Sequence, residues 1–402
     1  RRARAAEHPM AAGQAALAAA ALVLCLRGTA ALRIAFGSCN RQDRDQSYWQ
    51  TIADRRPDVW LWGGDIVYGD RVGLLRPPPL AGPDMGDAPL VEGRTFSRLF
   101  GGLICFAAAT PQRLHELYAQ QSAVAGYRAL AGSVSKVLGI WDDHDMGLND
   151  GDARYRWKAE SQEALLDFLG EPPQSPRRGQ RGVWDRYVLP GPPGRRVAVH
   201  LLDVRHNRAP YGDPGGDFLG EEQWAWLNES LRSARDEAAV NLVVSGLQVL
   251  RPWPGVGEVW GRFPEARARL LRTLASSGAK GLVLLSGDVH MAQLNAVRCG
   301  EAVVHELTSS GLTHSLEDYP GLAPLARLLM WAFGQRHLVG STYTGRNFGE
   351  LDIQVDGAGA AEVLARVVSL RPGRGRGAVV LERRLDHLSP GGAGGAGGLD
   401  AE

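Results

Sequence analysis

The sequence predicts an α/β fold, and three observations predict it. Short apolar runs that stop abruptly at Gly or a polar residue recur at 32–37, 59–62, 137–141, 197–202, 241–245 and 281–285. Stretches with apolar residues at helical spacing separate most of them. Alternation of the two is the signature of strands and helices packed as layers. The third observation is chemical: just past the ends of these runs stand, in turn, Cys39, Asp65, Asp143 and His144, Arg205, Gln248, and Asp288 and His290.

Taken in order, the first strand is LRIAFG (32–37), which breaks at Ser38, Cys39 and Asn40. A lone Cys at such a point is more often packing than chemistry, because free Cys is among the most buried residues. Residues 46–55 read as a helix with Tyr48, Trp49 and Ile52 on one face. The second strand ends in Gly63-Gly64-Asp65-Ile66-Val67-Tyr68-Gly69-Asp70, where the glycines permit a sharp turn that delivers Asp65. Residues 71–110 are rich in Pro and Gly, and a loop of that length is expected to be functional or disordered. A helix is expected over 112–131, with Leu114, Leu117 and Tyr118 on its inner face.

The third strand runs into Trp141-Asp142-Asp143-His144-Asp145, with Asn149 and Asp150 close behind. Successive ionisable groups at a buried strand's end are costly unless paired, protonated or bound to metal. A solvated acidic loop is the plainer alternative, and a structural ion-pair network another. A helix over 155–169 comes next, then a strand ending in Asp203-Val204-Arg205. Further helices are expected at 218–230 and 266–275, on either side of the strand that ends at Gln248. The strand at 281–285 delivers Asp288 and His290. Residues 350–355 and 362–370 alternate with period two, so antiparallel strands should close the sheet. Residues 322–333 are apolar but few and include Arg327, which suits a packed helix or lid rather than a membrane span.

The chain has 402 residues and a net charge of +1, so no global field points to nucleic acid, a membrane or a dedicated protein partner. Arg1, Arg2 and Arg4, an apolar run over 15–26 and the small residues 28–31 make residues 1–31 a leader or signal segment. The expected location is therefore secreted, endomembrane or cell-surface, and cytoplasmic if that segment is not a signal. The sequon at Asn228 matters only in the first case. The four cysteines make no CxxC spacing and no disulfide framework. Residues 386–402 are Gly-rich and read as a disordered tail, which leaves 32–385 as one domain.

The motifs FGSC (36–39), GDIVYGD (64–70), WDDHD (141–145), LLDVR (201–205) and SGDVH (286–290) resemble those of the alkaline phosphatase D (PhoD-like) metallophosphatases. ELTSSGLTHS (306–315) and NFGEL (347–351) resemble later stretches of the same family, while Met146 and Gly63 depart from its usual residues. The resemblance implies a four-layer α/β/β/α sandwich around a dinuclear metal site at strand carboxyl ends. It implies Asp65 as the bridging carboxylate, with Cys39, Tyr68 and His290 as ligands of the first metal. Asp143 and Asp288 fall to the second, with Gln248 or Asn149 as further metal or substrate contacts. Thiolate, phenolate and imidazole suit a transition ion, Fe(III) by the resemblance, whereas an oxygen shell suits Ca(II), with magnesium, manganese or zinc as alternatives.

The activity so implied is hydrolysis of small phosphomonoesters or phosphodiesters by a metal-held hydroxide attacking phosphorus in line. His144 would protonate or stabilise the leaving alkoxide and Arg205 would grip phosphate oxygens. Plainer roles are His144 ordering Asp65 and Arg205 pairing with Asp203. Two other functions fit part of the pattern. One is a hydrolase with Cys39 as nucleophile, and the other a non-catalytic calcium-binding surface protein.

Overall fold

Most of the apolar runs become central strands because both of their faces are covered, so neither needs polar residues. A computed structural model of the protein describes residues 31–74, 104–190, 195–213, 215–252, 257–300, 302–332, 337–373 and 375–385. All but the last residue of the leader, residues 75–103 of the long loop, and the tail lie outside the described residues.

The strands β1 (Leu32–Gly37), β2 (Val59–Gly63) and β5 (Lys136–Ile140) lie parallel in one six-stranded sheet. Its order is β14-β13-β12-β1-β2-β5, with β12 (Asn347–Val355), β13 (Ala361–Ser369) and β14 (Val379–Leu385) added antiparallel beside β1. A second six-stranded sheet has a parallel centre of β7 (Arg196–Leu201), β8 (Ala238–Val244), β9 (Leu282–Ser286) and β11 (Ala302–Ser309). The antiparallel strands β6 (Asp185–Leu189) and β10 (Ala292–Cys299) form its edges. Its order is β10-β11-β9-β8-β7-β6. A separate hairpin pairs β3 (Arg71–Leu74) with β4 (Ile104–Ala107).

The period of two along each strand sorts side chains into layers. Val240, Leu242, Val244, Val283, Leu285 and Leu307 join one core with residues of the first sheet such as Phe36 and Leu351. Their neighbours Val243, Leu282, Leu284 and Val304 instead pack with α7 (Gly220–Ala234) and α8 (Pro264–Ser276). On the far side of the first sheet, Trp60 and Trp62 meet Trp49 of α1 (Trp49–Asp54). Trp62 also meets Tyr127 of α3 (Ala125–Ser133), beside α2 (Pro111–Ala123), and Phe168 of α5 (Lys158–Phe168). The molecule is thus an α/β/β/α sandwich.

The helix expected over 112–131 is two helices, because Val124 adopts an extended conformation (φ −60°, ψ 115°) between α2 and α3. Strands β3, β4, β6, β10, β11 and β14 are additions that the apolar pattern does not predict. Strands β10 and β11 lack an apolar run because Gln293, Asn295, Glu306 and Thr308 are buried within them. Glu306 is satisfied there by the backbone N–H groups of Val249 and Leu250, at 2.7 and 2.9 Å. The apolar segment near 322–333 is the helix α9 (Leu322–Ala332), which buries Ala323 and Met330 and exposes Leu325 and Leu328. Among the described residues no helix is long and apolar enough to cross a membrane.

Candidate metal centre

The parallel strands of both sheets end on one rim, and the turns beyond them are forced into an unusual backbone conformation. Cys39 after β1, Asp65 after β2, and Asp288 and His290 after β9 all have positive φ, between 51° and 65°. Such left-handed positions cost on the order of 1–3 kcal/mol each outside glycine and cluster at functional sites. Gly64 has φ 97°, and a Cβ there would fall 2.7 Å from the Cβ of Asp142, so only glycine fits.

After β5, a single helical turn, α4 (Asp143–Met146), opens at Asp142 and stops at Gly147. Pro176–Gly179, a second short turn, is α6 and lies elsewhere in the chain. The Asp145 carboxylate accepts from the N–H groups of Asp142, Ile66 and Val67 and from the Tyr118 hydroxyl, at 2.8–3.2 Å. Asp145 therefore ties the acidic turn to the Asp65 turn instead of facing the site.

Ligand-type atoms of Cys39, Asp65 and His290 all lie within 4.8 Å of one another. The same holds for Asp65, Asp142, Asp143 and Asp288, and for Asp65, Asp143 and His144. Asp65 belongs to these three sets, and a fourth, of Asp143, Asp150 and Glu258, shares Asp143 with them instead. Asp65 Oδ2 is 3.4 Å from Cys39 Sγ and 3.1 Å from the Tyr68 hydroxyl. Asp65 Oδ1, Asp142 Oδ2 and Asp143 Oδ1 are buried without a hydrogen-bond partner. Burial, with Asp142, Asp143 and Asp145 close by, pushes the Asp65 carboxyl well above the usual carboxylate range despite His144. Burial with Asp142, Glu258 and Asp143 does the same to Asp288. Burial, Asp65 and Asp288 raise the Cys39 thiol. Groups so placed stay ionised only around a cation, and the donors divide into a sulfur, nitrogen and oxygen set and an all-oxygen set that share Asp65. These residues fit a metal pair.

His144 stacks on Tyr68 with ring centroids 4.0 Å apart, and its Nδ1 lies 2.7 Å from Asp70 Oδ1. The other Asp70 oxygen accepts the Asn149 N–H at 2.9 Å, which places Asn149 beside His144, half-buried. Gln248 is fully buried and donates to Gln293 and Thr308 at 3.0 and 2.9 Å, while its Oε1 has no hydrogen-bond partner.

The Arg205 side chain has no exposure. The guanidinium pairs with Asp142, lies 2.6 Å from Glu258 Oε2 and is 3.7 Å from Asp143 Oδ1. Asp203, the alternative partner, bonds to the backbone N–H of Arg205, at 2.8 Å, and also accepts those of His206 and Val183. Sequence reasoning also passes over Asp70, Asp142 and Glu258. The first two lie inside motifs already singled out. Glu258 sits in an irregular segment after β8 and carries no pattern to find.

A sequence model of the PhoD-like phosphatase family matches residues 34–356. The fold is similar to a solved structure described as PhoD, with TM-score 0.62 and 16% identity over 91% of this chain and 73% of that one. It is also similar to GAP50, described as the anchor in the inner membrane complex of Plasmodium, with TM-score 0.51 and 14% identity over 89% of each chain. A dimetal phosphatase from Danio rerio aligns at TM-score 0.44 and 12% identity over 88% of this chain and 98% of that one. No curated protein sequence matches this one significantly.

Proposed function

Because this chain belongs to the PhoD-like phosphatase family, we propose that it is a metal-dependent phosphoesterase acting on small phosphomonoesters, phosphodiesters or both. The observation that carries this reading is the membership of Asp65 in both donor sets, which makes it the natural bridge of a metal pair. Cys39, Tyr68, His290 and Asp65 would hold the first ion. Asp65, Asp142, Asp143 and Asp288 would hold the second, with Gln248 and Asn149 the nearest further donors to consider. Thiolate and phenolate donors favour Fe(III) at the first position, and the oxygen donors favour Ca(II) at the second. Such a pair supplies Lewis acidity at phosphorus and a nucleophile at moderate pH.

The chain's own residues supply the rest. Asp70 engages His144 Nδ1, which leaves Nε2 as the nitrogen that exchanges a proton with the leaving alkoxide. Burial works against a charged His144, but Asp70, Asp143 and Asp65 outweigh it and raise its pKa well above the usual value. Arg205 neutralises Asp142 and Glu258 and holds Asp142 and Asp143 in place from behind.

Cys39 is a poor candidate for a nucleophile, since burial and two carboxylates raise its thiol, the opposite of what activates a reactive cysteine. A calcium-binding, non-catalytic role is the second reading, and a similar fold occurs in a protein described as an anchor, so the fold does not by itself decide between the two. The His144–Asp70 pair argues against it, because a purely structural ion needs no oriented acid.

The test is steady-state hydrolysis of bis-p-nitrophenyl and p-nitrophenyl phosphate by protein purified without chelator. Turnover of either supports the proposal and ranks the two ester classes. A folded, metal-loaded protein inert to both supports the binding role instead. Secretion, read from residues 1–31, is tested by sequencing the amino terminus of the protein recovered outside the cell.

A further inference from the structure

The thiolate and phenolate ligands proposed for the first ion each touch a polar side chain from one loop. Ser310 Oγ lies 3.0 Å from Cys39 Sγ, and His314 Nε2 lies 3.2 Å from the Tyr68 hydroxyl. Both residues are buried, at 0% and 2% exposure.

The proton at Ser310 has one destination. Ser310 Oγ accepts the backbone N–H of His290 at 2.9 Å, which leaves its own hydrogen to donate. A sulfur that binds a metal is a thiolate and can only accept. The Ser38 hydroxyl is a more distant donor to the same sulfur, at 3.7 Å. The Thr313 hydroxyl lies 3.0 Å from His314 Nδ1 and 3.2 Å from Cys39 O, and its one hydrogen, given to the nearer Nδ1, leaves Nε2 to carry the ring's hydrogen toward the Tyr68 oxygen. The ring stands edge-on to Tyr68 and to His290, with centroids 5.2 and 4.5 Å away.

The loop is fastened to the strand ends that carry the ligands. Gly311 and Leu312 donate backbone N–H groups to Ser38 O at 3.2 and 3.1 Å, and Leu316 donates to His290 O at 3.0 Å. Asn347 Nδ2 donates to Ser310 O at 2.9 Å and fixes the serine from the other side. Nothing in this arrangement is a surface accident.

We propose that Ser310 and His314 are positioning residues that donate hydrogen bonds to the Cys39 thiolate and the Tyr68 phenolate, and so set the electron density that reaches the first metal. The proposal rests on the ligand assignment made above. Hydrogen bonds to ligand atoms are a principal means by which a protein orients first ligands and tunes a metal's potential. Each donor stabilises the negative charge on its sulfur or oxygen. Its loss makes that ligand a stronger donor to the ion.

The test uses the full chain reconstituted with Fe(III) and read by absorption spectroscopy, reduction potential and iron content. In Ser310→Ala the sulfur-to-iron band should move to lower energy and the reduction potential should fall, with iron still bound. Ser310→Thr, which keeps the hydroxyl, should return both towards wild type. His314→Phe should move the phenolate band to lower energy in the same manner. Unmoved bands and potential in iron-loaded Ser310→Ala and His314→Phe overturn the proposal while leaving the ligand assignment intact. A wild-type protein with no thiolate or phenolate band, and equal iron uptake by Cys39→Ser, overturns the assignment and the proposal together.

Discussion

Asp70 Oδ1 sits 2.7 Å from His144 Nδ1, and the two side chains are 3% and 13% exposed. A carboxylate so placed fixes the imidazole's tautomer and holds its proton against rising pH. His144→Gln should therefore lower kcat by about 10²–10⁴ with little change in folding. The loss should be smaller for p-nitrophenyl esters than for alkyl esters, whose leaving alkoxides need the proton more. Equal losses on both would remove His144 as the acid.

Asp70→Asn tests the same relationship from the other side. Because Asp70 helps raise the His144 pKa, its neutralisation should move the alkaline limb of the pH–kcat profile to lower pH. Activity at the optimum should fall by about 10–100-fold, the usual cost of losing an orienting carboxylate. An unmoved limb would assign that limb to another group.

Arg205 is the point at which two accounts diverge. If it holds Asp142 and Glu258 in place, Arg205→Met leaves buried carboxylates unpaired and should cost about 3–5 kcal/mol of folding stability in urea titrations. Bound metal should weaken with it. A phosphate grip would instead raise KM and leave the unfolding midpoint alone.

Away from the site, His200 is buried between Ser230 and Asn241, at 2.7 and 3.0 Å. Burial lowers its pKa to about 4, so on acidification the unfolded chain takes up the proton before the folded one. The stability it contributes is complete above about pH 6.5 and drains away as pH falls through 4. The full loss is on the order of 3 kcal/mol. Chelated wild-type protein should lose urea resistance over that window, and chelated His200→Gln should show a flatter profile.

Much of this site is legible in the sequence because the chemistry sits just past apolar runs. Strands β1, β2, β5, β7, β8 and β9 each announce themselves by composition, and the residue that ends each run names a candidate. The unread parts have a common cause. Strands β10 and β11 hide their hydrophobic pattern behind buried polar residues whose partners are distant in sequence, as Glu306 is satisfied by Val249 and Leu250. Val124 gives no composition signal that a helix will break there. The ion pairs of Arg205 with Asp142 and Glu258 come from partners distant in sequence, which only the fold brings together.

The most direct test of the central claim is the activity of chelated protein on bis-p-nitrophenyl phosphate as iron and calcium are returned, with Asp65→Asn measured in parallel. A shared bridging carboxylate predicts that wild-type activity vanishes on chelation and returns with the metals, while Asp65→Asn stays inactive and retains less of both ions. Activity indifferent to chelator and to Asp65→Asn would contradict the metal pair and return attention to Cys39.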